Sequence, residues 1–272
     1  MMNKPGRVSL VCLGLLLVLT VLPPLAVLVY ALSERWDGLL PQGFTLHWLI
    51  ELLQQSRAQA AAAHTLWLSL LSALLALTAG GAATLAAHLR SPKLLRWLDA
   101  LALLPYAIPP VVLAINALEL FVGQWGAWLD LQTVYVLLIV PLLFPLVHKS
   151  LGAALQQLDA HALLEASRTL GAGDAYLLRR VLLPLLAPAL LAALMLSWIT
   201  AAMEFAIANL LLGGSVELLQ PLMNSLRGVN GHQAAALIVL TFALLGLIGL
   251  AVQSLSTKTP WKLGTKKTLK NS

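Results

Sequence analysis

Residues able to do chemistry are sparse in this chain, and their spacing forms no catalytic site. Only 11 Asp and Glu, 6 His and one Cys occur among the 272 residues. His161 and Glu165 lie one helical turn apart, as two metal ligands would, but a metal site needs more than two protein ligands. No Gly-x-x-x-x-Gly-Lys-Ser/Thr, His-Glu-x-x-His or Gly-x-Ser-x-Gly motif is present. We therefore expect a chain that is not an enzyme and that itself holds no metal, nucleotide or other cofactor.

A different pattern occupies residues 152–184, a stretch that we name the 152–184 loop. Its central residues are Glu165-Ala166-Ser167, followed after three residues by Gly171 and after nine more by Val181-x-Leu183-Pro184. These positions combine one carboxylate with small and apolar side chains. Such a set suits a contact surface better than a reaction centre.

The 152–184 loop is predicted to form two short helices. A helical stripe from Gly152 to Leu170 contains Leu155, Leu158, Ala162, Ala166 and Leu170. Gly171 would end this helix, because glycine adopts the left-handed conformation at no Cβ cost. Asp174 is the predicted N-cap of a second helix through Ala175 to Val181, and Pro184 marks the passage into the next apolar segment. Two short helices joined at a glycine would make a compact knob.

The elements that must position this loop are apolar. Hydrophobic residues make up 60% of the chain and charged residues 10%, whereas a soluble domain is about 25% charged. Because a spanning helix needs about 20 apolar residues, six segments qualify: Leu10–Leu32, His64–Ala87, Leu98–Val122, Val134–Leu151, Leu185–Leu212 and Gln233–Leu255. The sequence predicts an all-α, polytopic membrane bundle of six helices in a single domain, residues 1–272.

Proline residues interrupt two of these segments. Pro105, Pro109 and Pro110 lie in the third, and Pro141 and Pro145 lie in the fourth, which is also the shortest. Neighbouring helices of a bundle can satisfy the carbonyls that proline frees. We expect kinks at both places.

The distribution of Lys and Arg predicts the orientation in the membrane, since these residues are enriched on the cytoplasmic side. With the N-terminus inside, the cytoplasmic segments hold 14 of the 17 basic residues, and the external loops hold only Arg35, Arg57 and Arg227. Five of the 14 are lysines of a basic tail at about 256–272. Both termini and the 152–184 loop are therefore predicted to be cytoplasmic. This bias also accounts for the net charge of +6 without a nucleic-acid partner.

The pattern within the 152–184 loop resembles the signature loop of permease subunits of bacterial type I ABC importers. That signature is Glu-Ala-Ala, three residues, Gly, nine residues, then Ile-x-Leu-Pro; Ser167 and Val181 depart from it with side chains of similar size. The resemblance implies the fold of those permeases and a multi-pass place in the bacterial inner membrane. It also implies three partners: a second permease chain, identical or homologous, a pair of ATP-binding subunits that carry ATP and Mg²⁺, and an external substrate-binding protein.

In such importers the knob inserts into a groove of the ATPase, so the resemblance implies an ATPase-coupling role for the loop. The residues concerned are Glu165, Ala166, Ser167, Gly171, Val181, Leu183 and Pro184. Ala166 and Ser167 would let the partner approach closely, and Glu165 would accept charge-assisted hydrogen bonds from it. Leu183 and Pro184 would anchor the loop to the fifth helix.

Four polar residues inside apolar segments are candidates for the translocation path: Asn116, Glu119, Glu204 and Asn209. Ionisable groups in a bilayer usually face a bundle interior or a watery cavity. The alternatives are that Glu119 has reached the external interface and that Glu204 and Asn209 hydrogen-bond between helices. The pair Glu204-Phe205 resembles a Glu-Phe or Glu-Leu pair of iron, polyamine and phosphonate permeases.

The predicted first external loop bears on substrate and on membrane contact. Residues Trp36 to Leu46 resemble the corresponding loop of 2-aminoethylphosphonate permeases, and iron, polyamine and sulfate permeases share parts of it. From Thr45, a predicted N-cap, to Arg57 the apolar residues Leu46, Leu49, Ile50 and Leu53 fall on one helical face. This helix would lie in the interface with Trp48 at headgroup level, or pack on the bundle without lipid contact.

Two other classes of function remain open at this point. An ion-coupled secondary transporter would need coupling residues near the midplane and often has repeated halves. A membrane scaffold would need neither a cavity nor an ATPase. The resemblance favours the ATP-driven importer, with 2-aminoethylphosphonate as the first candidate substrate and iron, polyamines or sulfate as alternatives.

Overall fold

A computed structural model of the chain describes residues 7–121 and 129–256, which form a helical bundle with one short hairpin. In chain order the elements are α1 Arg7–Leu32, β1 Ser33–Arg35, β2 Gln42–Phe44, α2 His47–Gln54, α3 Ser56–Arg90, α4 Pro92–Leu101, α5 Leu104–Ala107, α6 Pro110–Leu120, α7 Leu131–Gln157, α8 Ala160–Thr169, α9 Asp174–Tyr176, a π-helical segment Leu177–Leu182, α10 Leu183–Ala202, a second π-helical segment Ala208–Leu212, α11 Leu219–Arg227 and α12 Gly231–Ser256. The predicted basic tail lies outside the described residues, apart from its first position.

The all-α membrane fold with six spans is confirmed, with the third span broken. Within the described ranges, five helices are long and apolar enough to cross a membrane, and a bent pair gives a sixth span when its two helices are counted as one. The pair is Pro92–Ala107 and Pro110–Leu120, which meet at 85°. Ile108 between them is extended, at φ −110° and ψ 120°, because a residue that precedes proline is pushed out of the helical region. The kink predicted in the third segment is therefore a full break.

The fourth span differs from the prediction in length and in its end. α7 is a continuous helix of 27 residues with Pro141 and Pro145 inside it. It continues past the predicted boundary at Leu151 to Gln157. Asp159 then adopts the left-handed conformation at φ 47°, and its side chain accepts a hydrogen bond from the Ala162 backbone. Since Asp tolerates this conformation better than most residues, the predicted helix from Gly152 to Leu170 is wrong: it is two helices with a break at residue 159.

The fifth span ends ten residues earlier than the predicted limit at Leu212. α10 stops at Ala202, and the chain turns through Met203 and Glu204 before helical structure resumes. No Pro or Gly lies between residues 189 and 212 to signal such a break. Glu204 consequently lies in a gap between two helical pieces.

Helix α3 forms the centre of the bundle and packs against α7 and α10. Its buried face is made mainly of small residues, among them Ala73, Ala76, Gly80 and Thr84. A Cβ atom at Gly80 would lie 2.9 Å from the Phe144 ring of α7. Small residues permit such close helix contact in a membrane, where tight packing replaces the hydrophobic effect between helices.

The end of the bundle opposite the 152–184 loop carries the hairpin and two short helices. β1 and β2 pair antiparallel with Ser33 opposite Phe44. α2 ends at Gln54, not at the predicted Arg57, and Leu46 takes the N-cap position, although Thr45 Oγ1 accepts a hydrogen bond from the His47 backbone at 3.0 Å.

Helix α2 contacts both the bundle and its surroundings. Leu52 is buried, and the Trp48 indole donates to the Ser33 carbonyl at 3.1 Å while it stacks on His232. Leu46, Ile50 and Leu53 remain about half exposed. Trp48 therefore packs on the bundle, whereas an apolar edge of the helix stays free for lipid.

Candidate coupling loop and cavity

The knob predicted at Gly171 is present and has a defined end to its first helix. Gly171 has φ +73°. Its backbone N–H donates to the Arg168 carbonyl at 3.0 Å, and the Ala172 N–H donates to the Ser167 carbonyl at 3.0 Å. These two bonds form a Schellman motif, in which glycine is favoured because its left-handed backbone carries no Cβ penalty. The helix stop is thus set by Gly171, as the sequence predicts.

The second helix of the knob runs directly into the fifth span. Residues Asp174–Ala202 make a single apolar helix of 29 residues that includes α9, the first π-helical segment and α10. Gly173, not Asp174, takes the N-cap position, and Asp174 is the first helical residue. Pro184 follows the π-helical segment directly and lies inside this continuous helix. A displacement of the knob would therefore reach α10 without a flexible joint.

The base of the knob is a buried apolar cluster. Its members come from α7, α8 and the helix after Gly173: Leu151, Leu155, Ala160, Leu164, Leu177, Leu182 and Leu186. Leu182 is fully buried, whereas Leu183 is 39% exposed and Pro184 is also exposed. The buried residue at this point is thus Leu182, one residue before the predicted anchors Leu183 and Pro184.

The outer surface of the knob presents most of the predicted contact residues. Glu165 and Ala166 are exposed, while Ser167 and Val181 are half-buried. The Ser167 hydroxyl donates to the Ala172 carbonyl at 3.3 Å, so this side chain also supports the turn.

Two large apolar side chains at the tip of the knob were not among the predicted contact residues. Leu170 is 84% exposed and Tyr176 is 59% exposed. The predicted stripe assigned Leu170 to the same helix face as Leu155, and the break at Asp159 separates them. The sequence signal that could have identified Leu170 is its position directly before the predicted helix stop at Gly171.

A cavity of about 350 Å³ lies at the end of α10 away from the knob, against the break in the third span. Its walls are Pro105, Tyr106, Ala107, Ile108, Pro109, Pro110, Ile139, Leu142, Leu143, Thr200, Ala201 and Glu204. Glu204 contributes the charge in an otherwise mostly apolar lining. Small-molecule sites commonly combine an apolar wall with a few placed polar groups.

The Glu204 carboxylate caps the helical piece that follows it. Oε1 accepts from the Ile207 N–H at 3.0 Å, and Oε2 accepts from the Ala208 N–H at 3.1 Å. These are local bonds to the backbone, not the bonds between helices that were the alternative. An ionised carboxylate has about four lone-pair sites, so Glu204 retains acceptor capacity toward the cavity.

The other three candidates for the path do not line this cavity. Asn209 is half-buried in the second π-helical segment, two residues beyond Ile207. Asn116 and Glu119 lie on α6 and are exposed. The structure therefore brings only Glu204 of the four to the cavity.

Comparison with known families identifies the fold and the class of protein. The family described as binding-protein-dependent transport system inner membrane component matches residues 76–259, which include the 152–184 loop and Glu204. The chain belongs to this family. It is a permease, a transport subunit of ABC importers.

Curated relatives of this permease include transporters of amines. The putative 2-aminoethylphosphonate transport system permease protein PhnV of Salmonella typhimurium (strain LT2) is 33% identical over 188 residues, which cover 67% of this chain and 68% of that protein. The spermidine/putrescine transport system permease protein PotC of Escherichia coli (strain K12) is 27% identical over 201 residues, 73% of this chain and 74% of that protein.

Solved structures agree on the fold. A chain of a bacterial ABC transporter involved in the import of the acidic polysaccharide alginate superposes with a TM-score of 0.67 at 16% identity, covering 92% of this chain and 94% of that one. A chain of the inward-facing methionine transporter MetNI gives 0.61 at 21% identity, covering 74% and 94%. The permease thus has the type I importer fold, and family membership favours an ATP-driven importer over an ion-coupled secondary transporter or a scaffold.

Proposed function

We propose that this permease forms one half of the path for a small organic solute and that the 152–184 loop couples it to a separate ATP-binding subunit. ATP and Mg²⁺ would be held by that subunit. A second permease chain completes the path, and an external substrate-binding protein delivers the solute. The termini and the loop face the cytoplasm of a bacterial cell, as the distribution of Lys and Arg predicts.

The observation that supports this proposal most is the exposed knob on a helix that continues into the membrane. Glu165, Ala166 and Leu170 are exposed at its tip, while the buried cluster around Leu182 fixes its base. Tyr176, which is 59% exposed at the same tip, is of a residue type that is enriched at the centres of protein interfaces. Because Asp174–Ala202 is continuous, closure of a partner on the knob would tilt α10 and move one wall of the cavity.

The substrate class that we propose is a small solute with a primary ammonium group, with 2-aminoethylphosphonate as the first candidate. The named substrates of PhnV and PotC, an aminophosphonate and two polyamines, share that group. Glu204 offers a carboxylate to the cavity, and charge-assisted hydrogen bonds between ammonium and carboxylate are strong in an apolar setting. Sulfate, an anion, would find no such partner in this carboxylate.

Co-purification tests the coupling role. The tagged chain is extracted from native membranes in mild detergent as the parent, as Gly171→Trp and as Gly38→Trp, which places the same bulk at another open glycine near the hairpin. We expect an ATP-binding subunit with the parent and with Gly38→Trp, and its loss with Gly171→Trp. Equal recovery from all three would contradict a contact through the knob.

Uptake in cells tests the substrate class. Accumulation of labelled 2-aminoethylphosphonate is compared in cells with and without the gene for this chain, with unlabelled putrescine and ethylphosphonate as competitors. We expect accumulation that depends on the chain and that ethylphosphonate, which lacks the ammonium group, does not reduce. Chain-dependent uptake of sulfate or ferric iron in place of the amine would overturn the assignment.

A further inference from the structure

A buried histidine joins three helices one turn before the base of the knob. His148 of α7 is 2% exposed. Its Nδ1 lies 2.9 Å from Thr84 Oγ1 of α3, and its Nε2 lies 3.1 Å from Asp99 Oδ1 of α4. The Lys149 ammonium donates to the same Asp99 oxygen at 2.8 Å from the exposed side. Thr84, Asp99 and His148 together are named the clasp below.

The contact between His148 and Asp99 exists in either arrangement of the protons. The Thr84 hydroxyl lies 2.7 Å from the Gly80 carbonyl and has one proton to donate. If that proton goes to Gly80, both ring nitrogens of His148 donate; if it goes to Nδ1, the ring is the neutral tautomer with its proton on Nε2. Nε2 donates to the Asp99 carboxylate in both cases. The ring is thus held from both sides, and its Nε2–H is directed at α4.

Helix α4 has little apolar packing against the bundle, so this polar contact should carry much of its docking. None of its side chains is buried. Its large apolar residues Leu94, Trp97 and Leu101 are 43%, 75% and 50% exposed. Leu95 and Leu98 are only half-buried, so the hydrogen bond of Asp99 to the buried His148 is the most specific contact of α4 with the bundle.

The clasp lies between the knob and the cavity. Leu151, one turn beyond His148, belongs to the buried cluster at the base of the knob. In the other direction, α4 leads through α5 into Pro105–Pro110, which form a wall of the cavity. Motion at the end of α7 therefore reaches that wall through Asp99.

We propose that Asp99, His148 and Thr84 are positioning residues for transport: the clasp keeps α4 and the Pro105–Pro110 wall in register with the 152–184 loop. The link to transport rests on the proposed function, whereas the docking of α4 does not. Two measurements separate these claims.

The first measurement is hydrogen–deuterium exchange of the full chain in lipid nanodiscs. Loss of a hydrogen bond to a charged group should speed exchange about tenfold in α4, and we expect this for Asp99→Ala and Thr84→Val. Thr84→Ser restores the hydroxyl, and Lys149→Met removes only the exposed partner, so both should exchange like the parent. Unchanged α4 exchange in Asp99→Ala, or equally fast exchange in Lys149→Met, would overturn the clasp.

The second measurement uses the permease with its co-purified ATPase. The chain carries Cys12→Ser and a single Ala107→Cys in the cavity wall, and maleimide labelling is timed with and without ATP plus orthovanadate. We expect trapping to change the labelling rate several-fold in the parent and in Lys149→Met, but not in Asp99→Ala, although the ATPase still co-purifies. A retained change in Asp99→Ala, or none in the parent, would refute the link. Absence of any ATPase would count against the proposed function, and the exchange measurement would still decide the clasp.

Discussion

The residue type at position 171 is restricted by the backbone conformation and not by the room available for a side chain. Its φ of +73° lies in the left-handed region, yet a Cβ atom there would meet no atom within 4 Å. Gly173 has equally open surroundings and φ −73°. The two glycines therefore separate the effect of conformation from the effect of bulk within one turn of chain.

Gly171→Ala should loosen the turn that ends the first helix of the knob, whereas Gly173→Ala, at the N-cap of the next helix, should leave that turn unchanged. A left-handed alanine costs roughly 1 kcal/mol, which is expected to speed exchange of the Gly171 and Ala172 amides several-fold. Hydrogen–deuterium exchange of the two variants measures this directly. Equal protection in both would show that the Schellman turn does not depend on glycine.

Glu204 has a structural and a proposed functional role, and two substitutions distinguish them. Glu204→Ala removes the acceptor for the Ile207 and Ala208 N–H groups and should lower stability by about 1–2 kcal/mol. Glu204→Gln retains one acceptor oxygen but loses the charge. It should melt close to the parent in detergent yet lose most uptake of an ammonium substrate. Full uptake by Glu204→Gln would restrict Glu204 to the capping role.

The structural role of Gly171 is easier to predict from the sequence than that of Glu204. Gly171 was identifiable because a glycine that follows a helical stripe commonly marks the end of the helix. Glu204 stands out in the sequence as a carboxylate in an apolar segment. Its hydrogen-bond partners could not be predicted, because they depend on the end of α10 at Ala202, which no local residue signals.

At the scale of elements, the helix that leads out of the knob shows why the motif did not identify the buried residue. The pattern pointed to Leu183, and the buried residue is Leu182. The π-helical segment Leu177–Leu182 precedes it, and its wider turn shifts each later side chain around the axis relative to an α-helix. The motif that named Leu183 contains no information on this shift.

A pair of alanine variants tests that anchor. Leu182→Ala should cost about 2–5 kcal/mol because it empties a fully buried site, and it should speed exchange across α8. Leu183→Ala, at a 39% exposed position, should stay within about 1 kcal/mol of the parent. Thermal melting in detergent compares the two, and a larger loss for Leu183→Ala would contradict the observed register.

Helix α11 is tied to the start of α3 by two polar contacts of unequal expected strength. The Arg57 guanidinium pairs with both Glu217 carboxylate oxygens at 2.6 and 2.7 Å, with Arg57 58% exposed. The Leu219 N–H donates to the buried Thr65 hydroxyl at 2.8 Å.

Burial should decide which contact matters. Thr65→Val leaves the Leu219 N–H without its acceptor and should cost about 1–3 kcal/mol. Arg57→Met breaks a solvated pair and should cost less than about 1 kcal/mol. Melting temperatures of the two variants give the comparison; a greater loss for Arg57→Met would mean that the ion pair holds α11.

At the scale of the whole molecule, the bundle was predictable and its breaks were not. Six apolar runs are recognisable because each span needs about 20 apolar residues. The three prolines of the third run, Pro105, Pro109 and Pro110, indicated that this span is irregular. Helix α7, by contrast, continues through Pro141 and Pro145. Whether proline ends a helix depends on neighbours that can satisfy the freed carbonyl, and those neighbours are far away in sequence.

Site-specific photocrosslinking tests the central claim that the tip of the knob meets the ATPase. A photoreactive amino acid replaces Leu170, which is 84% exposed on the knob, or Leu39, which is 98% exposed beyond the opposite end. After irradiation of native membranes, we predict a crosslink to an ATP-binding subunit from position 170 and none from position 39. Crosslinks to an ATP-binding subunit from neither position, or only from position 39, would contradict the coupling role of the 152–184 loop.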